Sequence, residues 1–67
     1  MNNTVNTALE TKIGPYTPKE LATMYGVSIK TLRTWLLPHR KQVGERISKY
    51  YTAKQVRIIF ERLGEPG

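Results

Sequence analysis

Apolar residues recur at helical spacing in this chain, and the first of the segments they mark runs from Pro18 to about Tyr25. A capping box precedes it. The Thr17 hydroxyl can accept a hydrogen bond from the Glu20 amide, and the Glu20 carboxylate can reach back to the Thr17 amide. Gly26 follows the segment and can adopt the left-handed backbone that ends a helix. These features predict one short, well-capped helix.

A second helix is predicted from Ile29 to about Leu37, with Ser28 as its cap and Pro38 as its end. On a helical wheel, one face is apolar and carries Ile29, Leu32 and Leu36. We expect Leu32, with Trp35 or Leu36, to pack this helix against the first one. The outward face is basic and hydroxylic apart from one leucine, and it carries Lys30, Thr31, Thr34 and Leu37.

The pattern changes over residues 38–51, where apolar positions no longer recur at 3.6 residues. Residues 38–42 and 46–51 flank Val43-Gly44-Glu45, and the second stretch is rich in residues that favour strands. This predicts a short β-hairpin. Thr52 and Gln55 then form a second capping box, and a third helix is predicted from Ala53 to Leu63. Its predicted buried side chains are Val56, Ile59, Phe60 and Leu63, and Ile58 falls outside that stripe.

The predicted fold class is therefore mainly α, with three helices and a short β-hairpin. Residues 1–14 show no apolar periodicity and are interpreted as a flexible N-terminal arm. The predicted domain covers residues 15–64, and residues 65–67 form a C-terminal tail that follows Gly64.

Charge narrows the possible partners. The 67 residues carry a net charge of +6 and no cysteine, and residues 28–57 hold eight Lys or Arg against one Glu, a net charge of +7. Such a concentration of charge favours a polyanionic partner, nucleic acid first, although a basic segment can also serve only as a solubilising surface. Signal peptide and membrane span are not expected, so the predicted location is cytoplasmic.

Catalysis has little support in this sequence. The chain lacks Cys and Asp, its one histidine (His39) has no evident carboxylate partner, and it has no Gly-rich phosphate loop. A core this small also leaves little room for a substrate pocket. We therefore expect no enzyme, no metal site and no cofactor.

The segment from Pro18 to Trp35 has the spacing of a helix-turn-helix, in which the second helix can enter a major groove about 12 Å wide. Residues 16–64 resemble the DNA-binding domain of the MerR-type regulators. The resembling motifs are Tyr16-Thr17-Pro18-Lys19-Glu20-Leu21-Ala22, Gly26-Val27-Ser28, Thr31-Leu32-Arg33 and Lys49-Tyr50-Tyr51-Thr52. Related winged-helix domains occur in excisionases and in small DNA-packaging subunits of phages. The resemblance implies a winged helix-turn-helix, with the hairpin as a wing along the DNA backbone or minor groove.

The sequence departs from that family in three places. Trp35-Leu36-Leu37-Pro38 shortens the recognition helix, and Ile47-Ser48 replaces the usual Asn-Gly of the wing. The long dimerisation helix and effector domain of the full regulators have no counterpart. We therefore expect an excisionase-type or accessory role in preference to a ligand-responsive activator.

Individual roles can be assigned on the DNA interpretation. Lys30, Thr31 and Thr34 are candidates for base-edge contacts, although each could be only an exposed helix residue. Candidates for phosphate contacts are Arg33, Arg40, Lys41, Arg46 and Lys49. The Ser28 amide, at a helix N-terminus, can also bind phosphate. Tyr51 corresponds in the resemblance to the wing tyrosine that commonly contacts phosphate in that family. We expect the Tyr51 ring to pack inward and the Tyr50 side chain to face outward.

The predicted function is sequence-preferring binding of double-stranded DNA, with transcription regulation or DNA recombination as the setting. The protein would act as a monomer or with weak self-association on DNA, alone or beside a recombinase or other DNA-bound protein. The alternative is a protein-interaction module on a winged-helix scaffold without DNA binding, which would use Leu37 and Ile58. An RNA-binding domain is disfavoured, because readers of single-stranded RNA usually stack bases on a sheet.

Overall fold

The structure is a computed structural model that describes residues 12–46 and 48–66. Most of the predicted N-terminal arm, residues 1–11, lies outside this range, as does Gly67 of the predicted tail. The helices of the described part, in chain order, are α1 (Pro18–Tyr25), α2 (Ile29–Leu36), a 3₁₀ turn (Leu37–His39), α3 (Arg40–Val43) and α4 (Ala53–Leu63). The three predicted helices are confirmed as α1, α2 and α4.

Local side-chain hydrogen bonds start each of these three helices, as the sequence predicts. At α1, the Glu20 amide donates to the Thr17 hydroxyl (3.1 Å) and the Thr17 amide donates to the Glu20 carboxylate (2.8 Å). At α2, the Thr31 amide donates to Ser28 Oγ (3.1 Å). Each bond satisfies a helix N–H group that has no partner inside its own helix. The positions of the helix starts are therefore fixed by neighbouring residues in the sequence.

The core forms where α1, α2, α3 and α4 meet. Leu21 and Ala22 of α1 contribute to it, with a small side chain at position 22. Partly buried apolar residues surround this centre, including Ile58 and Leu63 of α4. Within the described ranges, eight apolar residues are buried in the core: Leu21, Ala22, Leu32, Leu36, Val43, Val56, Ile59 and Phe60. Leu63 is thus at the margin of the core, and Ile58, which was predicted to lie off it, packs against it.

The predicted β-hairpin over residues 38–51 is wrong, and with it the predicted wing. The described residues contain no β-strand: Pro38 lies within the 3₁₀ turn, and the chain continues as α3 to Val43. Proline is tolerated early in a helical turn because no intrahelical N–H is needed there. The helical path places Val43 in the core, where it is only 6% exposed.

The segment after α3 is held mainly by a side chain of α4 and not by a ladder of strand hydrogen bonds. The Gln55 side-chain amide donates to the carbonyls of Val43 (3.1 Å) and Glu45 (3.0 Å). The β-type pairing within the described ranges is one antiparallel bridge, in which Tyr16 and Tyr51 exchange N–H···O bonds of 3.2 and 2.9 Å. Tyr51 therefore pairs with Tyr16, which lies outside the predicted hairpin.

An aromatic cluster joins α1, α2 and α4. The Tyr25 ring meets Trp35 and Phe60 edge to face, with ring centroids 6.2 and 6.3 Å apart. Leu32 and Leu36 pack α2 into the core, whereas Trp35 is 41% exposed at the edge of the cluster. Of the two residues expected to pack α2 beside Leu32, Leu36 is thus buried, and Trp35 contacts α1 through the Tyr25 ring.

The ends of the described chain lie together. Lys12 Nζ is 3.1 Å from a Glu65 carboxylate oxygen and donates to the Pro66 carbonyl at 3.2 Å. Ile13 packs against the core, and Pro66 is buried. Residues 12 and 13, which the sequence analysis assigns to the arm, therefore contact the folded domain.

We expect Gly26→Ala to lower the free energy of unfolding by about 1–2 kcal/mol. Gly26 has φ +71°, and nothing lies within 4 Å of a Cβ built there, so the cost comes from the left-handed backbone alone. Gly14→Ala is the matched control, since a Cβ there is equally unobstructed and its φ is not positive. Urea denaturation of both variants checks this, and equal destabilisation would contradict it.

Stability should fall as the pH rises from about 10 to about 12, because burial raises the pKa of Tyr25 to about 12. The unfolded chain releases the phenol proton near pH 10, before the folded chain does, so ionisation favours unfolding over that window. Below pH 10 Tyr25 is protonated in both states, so the stability that its ionisation removes is fully present. Thermal melts of the wild type and Tyr25→Phe check this, and a stability difference that does not vary with pH would contradict it.

Candidate nucleic-acid interface

A groove of about 980 Å³ opens between the C-terminal end of α2, the 3₁₀ turn, α3 and the segment that follows α3. Its apolar lining comes from Leu36, Leu37, Pro38, Val43 and the half-buried Tyr51. Its charged lining consists of Arg33, Arg40, Lys41, Glu45 and Arg46. We call this feature, with its ten side chains and Gly44, the basic groove.

Four exposed cations surround the basic groove, and they come from three parts of the chain. Arg33 belongs to α2, Arg40 and Lys41 belong to α3, and Arg46 follows α3. One acidic side chain, Glu45, lines the groove with them, so its lining has an excess of positive charge. Four of the five residues assigned to phosphate contacts thus meet at one concave surface.

Neighbouring groups orient Arg46. Its Nη1 donates to the Ser48 carbonyl (3.0 Å), and its guanidinium carbon lies 6.0 Å from the centroid of the Tyr51 ring. That distance is within the range of a cation–π contact. Tyr51 is itself held by its backbone bridge to Tyr16. The guanidinium is therefore placed at the edge of the groove by the domain, and it remains exposed to solvent.

The outward face of α2 carries the candidates for base contacts. Lys30 and Thr34 line a shallow depression of about 530 Å³ with Ile29, Arg33 and Leu37. The Thr34 hydroxyl donates to the Lys30 carbonyl (3.1 Å), so its oxygen and its methyl group remain available for a base edge. This depression and the basic groove share Arg33 and Leu37.

Three other predicted site residues, Ser28, Thr31 and Lys49, lie outside both depressions. Ser28 and Thr31 bond to each other through their hydroxyls (3.0 Å) at the N-terminus of α2, where Ser28 is the helix cap. Lys49 is exposed but does not line the groove. Tyr51 packs against the core while Tyr50 is 50% exposed, in agreement with the predicted alternation.

Pro38 and Glu45 were not predicted to lie at a binding surface next to the cations. The predicted hairpin separated residues 38–51 from α2, so the groove could not be anticipated. The available signal was Val43, an apolar residue three positions after Arg40, which fits one further helical turn as well as a strand.

Two other properties of the described residues bear on function. No group of three or more His, Cys, Asp or Glu side chains within residues 12–46 and 48–66 is close enough to hold a metal ion. None of the described helices combines the length and the apolar character that crossing a membrane requires.

Comparison with known proteins adds no relative. No protein-family model matches this chain, and neither a curated protein nor a solved structure is significantly similar to it.

Proposed function

We propose that this protein binds double-stranded DNA with sequence preference, placing α2 in the major groove and the sugar–phosphate backbone along the basic groove. The observation that carries the proposal is the position of the four cations. They surround a concave surface directly beside the outward face of α2. An α-helix with its side chains is about 10–12 Å in diameter, which fits a major groove about 12 Å wide.

The two surfaces suit two kinds of contact. Phosphate requires only positive charge within reach, and Arg33, Arg40, Lys41 and Arg46 supply it from the groove. Base edges require directional groups, and Lys30 and Thr34 supply a donor and an acceptor on the neighbouring surface. Additional contacts are proposed for Ser28, Thr31, Lys49 and Tyr51. In this proposal the protein performs no catalysis and acts as a small transcription regulator or as an excisionase-type architectural factor.

A titration with duplex DNA at several salt concentrations tests the proposal. Each phosphate contact releases counterions, so the logarithm of the affinity should fall by about 0.9 per contact for each log unit of salt. Per-residue NMR shifts in the same titration should change in residues 28–46 and 48–51. Binding that is absent or insensitive to salt would refute the proposal.

Single substitutions should separate the two kinds of contact. We expect Arg46→Ala to weaken binding to all duplex sequences alike and to reduce the salt slope by about 1. Lys30→Ala should lower the affinity for the preferred sequence more than for others, by about 1–3 kcal/mol of discrimination. Competition between preferred and random duplexes measures both. Uniform weakening by Lys30→Ala would show that Lys30 does not read bases.

Leu37 favours a second candidate function, binding of a protein partner. Its side chain is 59% exposed at the meeting of the two depressions. Ile58, the other residue considered for such a surface, packs against the core and is less suited to it. If the partner function is correct, DNA should leave the NMR shifts of residues 28–46 unchanged, whereas Leu37→Ser should abolish partner binding.

A further inference from the structure

Gln55 connects α4 to the wall of the basic groove that residues 43–46 form. It lies in the first turn of α4, where its Oε1 accepts from the Thr52 amide (2.9 Å). Its Nε2 donates in the other direction, to the carbonyls of Val43 (3.1 Å) and Glu45 (3.0 Å). A side-chain amide has two N–H donors and one carbonyl acceptor, so this side chain uses both donors and its acceptor at once.

The two bonds from Nε2 span the turn at which the chain leaves α3. Gly44 lies between the two accepting carbonyls with φ +80°, and a Cβ built on it would lie 3.7 Å from Nε2. Arg46 is the residue after Glu45, the second of the two acceptors. The bonds therefore hold the backbone of the groove wall that carries the Arg46 guanidinium, while the Tyr16–Tyr51 bridge holds the chain beyond it.

A second capping box in the same chain shows that helix capping does not account for these bonds. At α1 the equivalent position is Glu20, whose carboxylate caps the helix and has no N–H to donate. Capping boxes use Glu or Gln, and a negative charge in the first turn of a helix is favourable. The cap of α4 thus needs only Oε1, and the Nε2 donors serve the loop.

We infer that Gln55 is a positioning residue for nucleic-acid binding. It fixes the backbone of the groove wall and so places Arg46 for a phosphate contact, and it does not touch DNA itself. This inference rests on the proposed DNA-binding function. Its physical basis is preorganisation, because a loop that is already ordered loses less conformational entropy when Arg46 binds a phosphate.

Gln55→Met tests this, because methionine has a similar length and no charge but lacks both donors and the capping acceptor. Thr52→Ala is the matched control, since it breaks the same capping box and leaves the Nε2 donors in place. We expect Gln55→Met to lower duplex affinity about tenfold more than Thr52→Ala and to reduce the salt slope by about 1, the value for one lost phosphate contact. In the free protein, the NMR amide shifts of residues 44–46 should change only in Gln55→Met.

A second variant covers the case in which Gln55→Met does not fold. Gln55→Glu keeps the capping acceptor and replaces the donors by a carboxylate, and Lys54→Gln next to it gives the same net charge. Lower duplex affinity of Gln55→Glu than of Lys54→Gln supports the inference. Equal affinities in both pairs, with unchanged salt slopes, overturn it and leave the DNA-binding proposal intact. A wild-type protein that does not bind duplex DNA overturns both.

Discussion

Replacing Arg33 and Arg46 together by glutamate should lower duplex DNA affinity at least about 100-fold. A hydrogen bond to a charged group contributes about 1.5–3 kcal/mol, and 1.4 kcal/mol corresponds to a factor of ten, so two lost phosphate contacts give this value. Repulsion between the new carboxylates and phosphate would add to it. Fluorescence anisotropy with a labelled duplex at fixed salt measures the change.

The charge-matched control is Lys19→Glu with Arg62→Glu. Both positions are exposed and do not line the basic groove, and the double variant has the same net charge as the groove variant. Because a phosphate contact requires positive charge within reach and neither position lines the groove, its affinity should change much less. Equal losses in the two double variants would show that net charge, and not the groove, determines binding. Thermal melts should show both variants folded, since all four side chains are exposed.

Leu32→Ala should lower the free energy of unfolding by about 2–5 kcal/mol at 25 °C. Leu32 is 0% exposed at the centre of the core, and truncating such a leucine costs about 2–5 kcal/mol. A chain of this length has a free energy of unfolding of only about 3–10 kcal/mol. Few other buried residues surround the cavity, so the loss cannot be spread over a large core. Far-UV circular dichroism during urea denaturation measures the effect.

Leu37→Ala on the adjacent turn is the control for this substitution. The same chemical change is made at a side chain that is 59% exposed, so the free energy of unfolding should change by less than about 0.5 kcal/mol. If the two variants have similar stability, the assignment of the inward and outward faces of α2 is wrong. The pair also separates folding from function, because Leu37 lies at the proposed interface and Leu32 does not.

Sequence reasoning located the three longer helices because their ends depend on nearby residues. Thr17 with Glu20, Ser28 with Thr31, and Thr52 with Gln55 each bond across three positions, and no tertiary contact is needed to form these bonds. The exposure of the basic side chains could also be predicted from the sequence, since charged side chains are rarely buried without a partner.

The path between α2 and α4 could not be predicted in the same way. Residues 38–51 have mixed propensity, and the outcome depended on whether Val43 found a place in the core and whether Gln55 reached two carbonyls ten and twelve residues away. Trp35 is a similar case. Trp35 is exposed because Leu32 and Leu36 occupy the core side of α2. Its ring therefore lies beside the core and meets the Tyr25 ring edge to face.

The sequence by itself determined where α1, α2 and α4 begin and where α1 and α4 end. It also determined that positive charge is concentrated between residues 28 and 57, because both depend on residue types and short spacings. Tertiary structure alone decided that residues 37–43 continue as helical turns, that no wing forms among the described residues, and that four of the cations surround one groove. The physical reason is that burial of Val43 and the long-range bonds of Gln55 outweigh the weak strand preference of that segment.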